Sequence, residues 1–397
     1  MKRIAKLLLT SLLCVIFAVP AFAAPPMQGY IYNADQVPVP SPMAYTFSRE
    51  LIGADYGIGN FSEPQDMAVG KDNYLYILDS GNNRLIIFDE ELNLRANLDR
   101  FRYNGETLTL NGPKGLYIYE YDGKKMIYIA DTENQRIIRT DTKGNVDRVF
   151  NKPYIDLLDP ETPFYPTKLV VDRAERMFIV CRNINRGLVK LKANGDFDSF
   201  FGAPKTTISP LMIILRTIFT REQVRKLQST VPTEYSNVTF DNQGFIYATI
   251  AQNDRQKFFA TFDTKPTDKD DRAKVTAIRK LAADGTDILI RAGMFPPVGD
   301  LSVYSRTSIE SAVAGEARFH DVVVNEYGIY SMLDTNRCKV FTYDTEGNLL
   351  HIIGNSSQQK GTFTQPTAVE FLGDQILVLE GRYSTVTFFR PTDYGDA

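Results

Sequence analysis

One segment returns along this chain, and its return narrows the available folds more than any other feature. Tyr74-Leu-Tyr-Ile-Leu-Asp-Ser-Gly-Asn-Asn-Arg-Leu-Ile-Ile-Phe-Asp89 comes back as Ile127-Tyr-Ile-Ala-Asp-Thr-Glu-Asn-Gln-Arg-Ile-Ile-Arg-Thr-Asp141. It comes back again as Ile329-Tyr-Ser-Met-Leu-Asp-Thr-Asn-Arg-Cys-Lys-Val-Phe-Thr-Tyr-Asp344. A unit of two short strands cannot bury its own faces, so repeated units must stack on one another.

The local chemistry of each copy supports this. Continuous apolar runs, Leu75 to Leu78 and Ile127 to Ala130, read as strands buried on both faces. An Asp then leads into Gly, Asn or Thr, residues that favour tight turns. A second apolar strand follows, closed by a turn such as Asp141-Thr-Lys-Gly144 or Asp344-Thr-Glu-Gly347. The pairs Asp79/Arg84, Asp131/Arg136 and Asp334/Lys339 share one spacing, and opposite charges flanking a hairpin turn can pair across it.

A second signal precedes each hairpin. Phe61-Ser-Glu-Pro64, Asn111-Gly-Pro113, Phe164-Tyr-Pro166 and Phe363-Thr-Gln-Pro366 each lead into an apolar strand, where proline is tolerated because that position needs no ladder N–H. Asn237-Val-Thr-Phe240 and His320-Asp-Val-Val-Val324 open two further units without proline, which makes six.

With these residues in view, the chain resembles the NHL-repeat family of bacterial secreted proteins, whose units stack as blades of a β-propeller. The resemblance spans roughly Phe61 to Phe389, with Tyr-Ile-Ala-Asp-Thr-x-Asn-x-Arg-Ile in the second unit close to the family pattern. It implies an all-β, six-bladed propeller over residues 44–397. It is specific for fold and uninformative about chemistry. Unit three carries Cys181-Arg182 in place of the Asp, unit four is interrupted by Asp263 to Lys274, and unit six has Glu380 and Thr385 at the Asp and Arg positions. Ala44 to Leu51 is expected to supply the missing outer strand of the last blade, closing the ring and removing an open edge.

The segments outside the repeat have their own signatures. Residues 1–23 read as a signal peptide: Lys2, Arg3 and Lys6, an apolar core from Leu7 to Val19 too short to span a bilayer, and a cleavage site after Ala23. The expected product is secreted or extracytoplasmic, without stable membrane insertion. Losing the leader moves the formal charge from −3 to about −6, which disfavours nucleic acid as a partner. Cys181 and Cys338 fall in units that are not neighbours in a ring, so buried free thiols are expected rather than a disulfide. Residues 24–43 form a Pro/Tyr-rich arm of extended chain, either a tether packed on the propeller or an arm that binds a partner. Between units three and four, Ser209-Pro210 and Thr220-Arg-Glu-Gln223 are helix starts, giving a short helical insertion over about 209–230 that reads as a cap, a lid or a docking surface. The absence of Trp argues mildly against a lectin face, although Tyr can substitute.

In a propeller the inner strand of each blade begins at the mouth of the central channel. The residue two beyond each lead-in proline, or its equivalent, should ring that mouth: Asp66, Gly115, Lys168, Asn237, Asp321 and Ala368. Second strands end on the same face, bringing Asp79, Asp131, Arg182, Asp334 and Glu380 near, where the Asp residues are expected to brace their turns. Asp66, Asn237 and Asp321 could hold Ca²⁺ through oxygen ligands. Lys168 and Arg182 could bind an anion.

Enzymatic relatives of the architecture sharpen the choice. Peptidyl-hydroxyglycine lyases of the group place several His on zinc; this chain has only His320 and His351, which rules out a three-His site. Lactonases similar to gluconolactonase use an axial Ca²⁺ held by Glu and Asn with an Asp base, which Asp66, Asn237 and Asp321 cover in part, with His320 beside Asp321 as a possible general base. Two readings follow. The leading one is a non-enzymatic binding or scaffold propeller holding a protein, peptide or glycan partner at the cell envelope. The other is a Ca²⁺-dependent, gluconolactonase-like hydrolase working in the channel.

Overall fold

The computed structural model describes residues 29–35, 37–202, 235–250, 277–301 and 317–395. Six antiparallel sheets follow one another around a ring, as the repeat requires. Blade one is built from Asp66–Val69, Leu75–Asp79, Arg84–Phe88 and Leu94–Leu98. Blade two has Gly115–Tyr121, Lys124–Asp131, Arg136–Thr140 and Val146–Phe150. Blade three has Tyr165–Val171, Met177–Arg182, Leu188–Leu191 and Phe197–Phe201. Blade four shows three strands among the described residues, Tyr235–Phe240, Ile246–Ile250 and Ile278–Leu281. Blade five has Phe319–Val324, Tyr330–Asp334, Lys339–Tyr343 and Leu349–Ile353. Blade six has Pro366–Leu372, Gln375–Glu380 and Thr385–Pro391.

The fourth strand of blade six comes from the other end of the chain. Tyr45–Ile52 runs antiparallel to Thr385–Pro391, pairing Thr385 with Ile52 and Pro391 with Tyr45. The closure expected from the sequence is therefore present. The ring has no free terminal edge there, which is how a radial sheet array avoids exposing unpaired backbone.

The core is not a central ball but six apolar layers, one between each pair of adjacent blades. Period-2 alternation explains the uninterrupted apolar runs. In blade one, Leu75 and Ile77 face blade six, while Tyr76 and Leu78 face blade two. Both faces of a strand must then be apolar.

Polar latches hold the layers in register. Asp79 is fully buried; its Oδ1 accepts the Ser62 N–H at 2.6 Å and its Oδ2 accepts Arg84 Nε at 2.6 Å. Asp131 does the same with Asn111 N–H and Arg136 Nε, each at 2.7 Å. Each Asp thus ties the second strand of its blade to the loop leading into the first, which is why the Asp and the proline signal travel together. Blade five departs from this pattern. Asp334 pairs with Arg337 at 3.1 Å, and Lys339, expected as its partner, reaches Asp300 at 3.3 Å and the Tyr30 hydroxyl at 2.8 Å instead. Hydroxyls carry the latch to the next blade: Ser80 donates to Pro113 O at 2.5 Å, Thr132 to Pro166 O at 2.7 Å, Ser236 to Phe319 O at 2.7 Å. Thr367 donates to Pro64 O at 2.9 Å, joining blade six to blade one in the same way.

The arm is more ordered than its proline content implies. Tyr30–Tyr32 and Pro38–Pro40 form a small hairpin beside blade five. Both tyrosine hydroxyls donate to the buried Asp300 carboxylate, and the Leu301 N–H donates to Tyr32 Oη at 2.9 Å. A second hairpin, Phe101–Tyr103 with Glu106–Leu108, bridges blades one and two and was not expected. Cys181 and Cys338 are buried free thiols. The described helical content is three single 3-10 turns, Gly53–Tyr56, Ser80–Asn82 and Thr132–Asn134. The helical insertion expected at 209–230 and the signal peptide expected at 1–23 lie outside the described residues. No described helix is long and apolar enough to cross a membrane.

Removing Asp79 strands a buried guanidinium and frees the Ser62 loop. Asp79→Ala is expected to lower the unfolding free energy by roughly 3–5 kcal/mol, the usual cost of breaking a buried pair. Chemical denaturation checks this, and a loss below about 1 kcal/mol would show that the latch is dispensable.

Candidate functional site

The site begins with an irregularity that recurs in four inner strands. Pairing with the second strand skips one residue between Pro166 and Lys168, Tyr235 and Asn237, Phe319 and Asp321, and Pro366 and Ala368. A bulge of this kind re-aims the side chains on either side of it. In three of the four the residue after the bulge (Lys168, Asn237 and Asp321) lines the channel, and the bulged residue itself (Thr167, Ser236 and His320) lines the mouth above it, while Ala368 packs into the apolar layer between blades six and one.

Four of the predicted ring residues, Asp66, Lys168, Asn237 and Asp321, line one channel cavity of about 210 Å³ together with Glu370. Lys168 Nζ lies 2.5 Å from Asp66 Oδ1, spanning from blade three to blade one. Asp66 Oδ2 accepts the Leu116 N–H of blade two at 2.7 Å. Asp321 Oδ1 accepts the Asn237 side-chain amide and the Val322 N–H, and Oδ2 accepts the Val369 N–H of blade six at 2.7 Å. Asn237 Oδ1 accepts the Val238 N–H at 2.5 Å. The two remaining predicted ring positions carry no functional group. At Gly115 this is a requirement of space, because a Cβ there would sit 2.4 Å from Thr167 O on blade three.

This arrangement is poorly suited to Ca²⁺. A hard cation needs six to eight oxygens with lone pairs turned toward it. Here every side-chain oxygen of Asp66, Asn237 and Asp321 already accepts an N–H, and the Lys168 ammonium stands where a cation would gain most. Among the described residues no cluster of three or more His, Cys, Asp or Glu could hold a metal. The Ca²⁺ expectation for these residues therefore does not fit the geometry.

Burial dominates the acid–base character of the ring. It raises the Asp66 carboxyl against the pull of Lys168. It pushes the Asp321 carboxyl up to about 6, with Lys168 opposing and Asp66 adding to the rise. Glu370, two residues along the inner strand from Ala368, is pushed up to about 8 by burial; the Phe371 N–H pulls the other way, and Asp321 and Asp66 add to the rise. Near neutral pH, Glu370 is thus held mostly as the neutral acid.

Above the ring lies a second cavity of about 190 Å³, lined by residues that include Gln65, Lys114, Thr167, Lys168, Arg182, Tyr235, Ser236, Arg318 and His320. Arg182, predicted as a ligand-binding residue, is here. Its guanidinium lies 4.3 Å from the Tyr165 ring centre and pairs with Glu133 at 3.1 Å. His320 faces the same space. Burial, with Lys168, Arg318 and Lys114 adding, pushes its imidazole down to about 4, so it stands neutral and is a weak general base. His351 is remote, on the outer strand of blade five against Tyr45. Asp79, Asp131 and Asp334 serve their turns, and Glu380 accepts the Gln365 N–H at 2.8 Å in the same role.

Sequence reasoning missed Lys114, Arg318 and Glu370. Lys114 immediately precedes Gly115, as His320 precedes Asp321, so the rule that found the ring would have found Lys114 if shifted by one residue; Arg318, three residues before Asp321, would still have escaped it. Glu370 was reachable by strand alternation from Ala368.

No family model matches the chain, and no curated protein matches it. The NHL-repeat resemblance thus gains no support from these comparisons. Solved propellers are similar in outline. Virginiamycin B lyase from Staphylococcus aureus is 11% identical over 87% of this chain and 99% of its own, with a TM-score of 0.48. A gluconolactonase from Xanthomonas campestris is 11% identical over 93% of this chain and 99% of its own, with a TM-score of 0.46. Likeness at this level carries no chemistry from those proteins to this one.

Two outcomes are expected from the ring. Lys168→Met leaves a buried carboxylate without its counter-ion and should melt well below wild type at pH 8, with Asp66→Asn in the same chain restoring much of the loss. If the double variant melts no higher than the single, the pair is not coupled. Glu370 has a folded pKa raised above the ordinary carboxyl value, so its contribution to stability is present at acid pH and is lost as pH rises from about 4.5 through about 8. Glu370→Gln should therefore match wild type in melting temperature at pH 4 and exceed it at pH 9. A constant offset across that range would show that folding does not raise the pKa of the carboxyl.

Proposed function

We propose that this chain is a secreted, non-enzymatic binding propeller that holds a protein, peptide or glycan partner on its channel-mouth face at the cell envelope. The observation that carries this reading is the internal neutralisation of the channel ring. Lys168 answers Asp66, and Asn237 with two backbone N–H groups answers Asp321. Groups spent on one another frame a site; they do not supply a free base or a ligand set. His320 lacks a carboxylate partner among the described residues and has a depressed basicity, so it fits a recognition contact better than a proton relay. The accessible chemistry is that of the mouth, with its Gln65 amide, cations, Tyr235 and neutral imidazole around one recess. A few convergent polar groups in a preformed concavity are what ligand sites share.

Screening the purified full chain against defined glycans and short peptides tests this. Capture is expected to be indifferent to EDTA and to disappear in Thr167→Trp, which fills the mouth from a half-buried position. Capture that survives Thr167→Trp would place the partner elsewhere. Hydrolysis of a lactone or ester panel that needs added Ca²⁺ would overturn the binding reading.

A further inference from the structure

We infer that the channel mouth is an anion site, taking the carboxylate or phosphate group of a small ligand among Lys114, Arg182 and Arg318. This rests on the binding reading above and names the chemistry of what is bound.

The charge distribution carries the argument. The chain as a whole is acidic, at −3 formally. Yet the described residues lining the mouth cavity include four cations, Lys114, Lys168, Arg182 and Arg318, and no carboxylate. An acidic protein that gathers positive charge around one concavity focuses its field there.

The four cations are not equivalent. Lys168 is committed to Asp66 one layer deeper. Arg182 is oriented by its stack on Tyr165, and its ion pair to Glu133 is half-exposed on both sides, so that pair is weak and exchangeable. Lys114 and Arg318 have no ion-pair partner among the described residues. They come from different blades, Lys114 just before the inner strand of blade two and Arg318 just before that of blade five, so they approach the recess from opposite parts of the ring.

The remaining polar groups refine the choice. Thr167 donates to Val180 O at 3.1 Å, Ser236 to Phe319 O at 2.7 Å and Tyr235 to Gly202 O at 2.6 Å. These donors are in use, which leaves Lys114, Arg318 and the neutral His320 ring as the donors of the wall with no partner among the described residues. His320 senses the same field, since Lys168, Arg318 and Lys114 all disfavour its protonation. A bound oxyanion would relieve that repulsion. At about 190 Å³ the recess is smaller than the roughly 300–1,000 Å³ of drug-sized pockets, which suits one monosaccharide-sized or terminal group.

The test uses the purified full chain, titrated calorimetrically with sodium D-glucuronate, inorganic phosphate and D-glucose, with thermal shift as a second readout. At least one anion should bind at a single site and raise the melting temperature, while glucose at the same concentration does not. Glucuronate alone would assign a carboxylated ligand, phosphate alone a phosphorylated one, and both the shared oxyanion chemistry. Lys114→Ala combined with Arg318→Ala should weaken the bound anion by about tenfold or more, the scale of a lost charge-assisted hydrogen bond. Should that pair fail to fold, Lys114→Gln alone, at a half-buried position, is expected to weaken it about threefold or more. Anions that bind no better than glucose, or an unchanged affinity in a folded variant, would overturn the inference. Neutral glycans or peptides that bind and are blocked by Thr167→Trp would leave the binding reading standing while the anion site fell. Ca²⁺-dependent hydrolysis would remove both.

Discussion

Everything in this ring depends on one antiparallel pairing, Tyr45–Ile52 against Thr385–Pro391. Each apolar layer lies between two blades, so no blade has a core of its own. Leu51 and Phe61, near the amino end, and Val386 and Phe388, near the carboxyl end, share one layer with Leu75 and Ile86 of blade one. Closure fixes the circumference, and the circumference decides which inner strands face one another across the channel. In the closed six-bladed ring Lys168 on blade three meets Asp66 on blade one across the channel.

The polar belt then works as scaffold as much as site. Asp66 joins blades one, two and three through Lys168 and the Leu116 N–H. Asp321 joins blades four, five and six through Asn237 and the Val369 N–H. Two carboxylates thus strap two halves of the ring, each with its charge offset by donors held rigidly on strands. Charges used this way are costly to bury and effective at specifying geometry. The layer above them is different in kind. Two of its cations, Lys114 and Arg318, lie at strand lead-ins, where side chains can change without disturbing an apolar layer.

Much of the architecture was legible because it rests on periodicities the chain displays openly. The Asp-turn copies located the hairpins, and the prolines fixed where four of the six inner strands start. Counting two residues past them found Asp66 and Lys168, and the equivalent positions in the two units without proline gave Asn237 and Asp321; the four share one cavity. Less of the site was legible, for reasons that are physical. Lys339 lost Asp334 to Arg337 because Asp300, distant in sequence, competes for it together with Tyr30. Nothing near Lys339 signals that rival. The arm looked like loose extended chain because proline content reports local backbone preference and not the buried Asp300 that captures Tyr30 and Tyr32. Ca²⁺ seemed plausible from residue type alone. Two of the backbone N–H groups that occupy those oxygens, those of Leu116 and Val369, belong to neighbouring blades and become visible only when the ring is assembled.

The closing strand also sets an order of events during biosynthesis. Translation delivers Tyr45–Ile52 early and its partner Thr385–Pro391 almost at the end. The early ribbon must therefore wait, unmatched, while five complete modules form behind it. A contact of such long sequence separation is slow to find, and a ribbon waiting alone is a ready template for mispairing with another nascent molecule. Loss of the last dozen residues, which looks minor on paper, would leave the polypeptide unable to finish what its opening segment began.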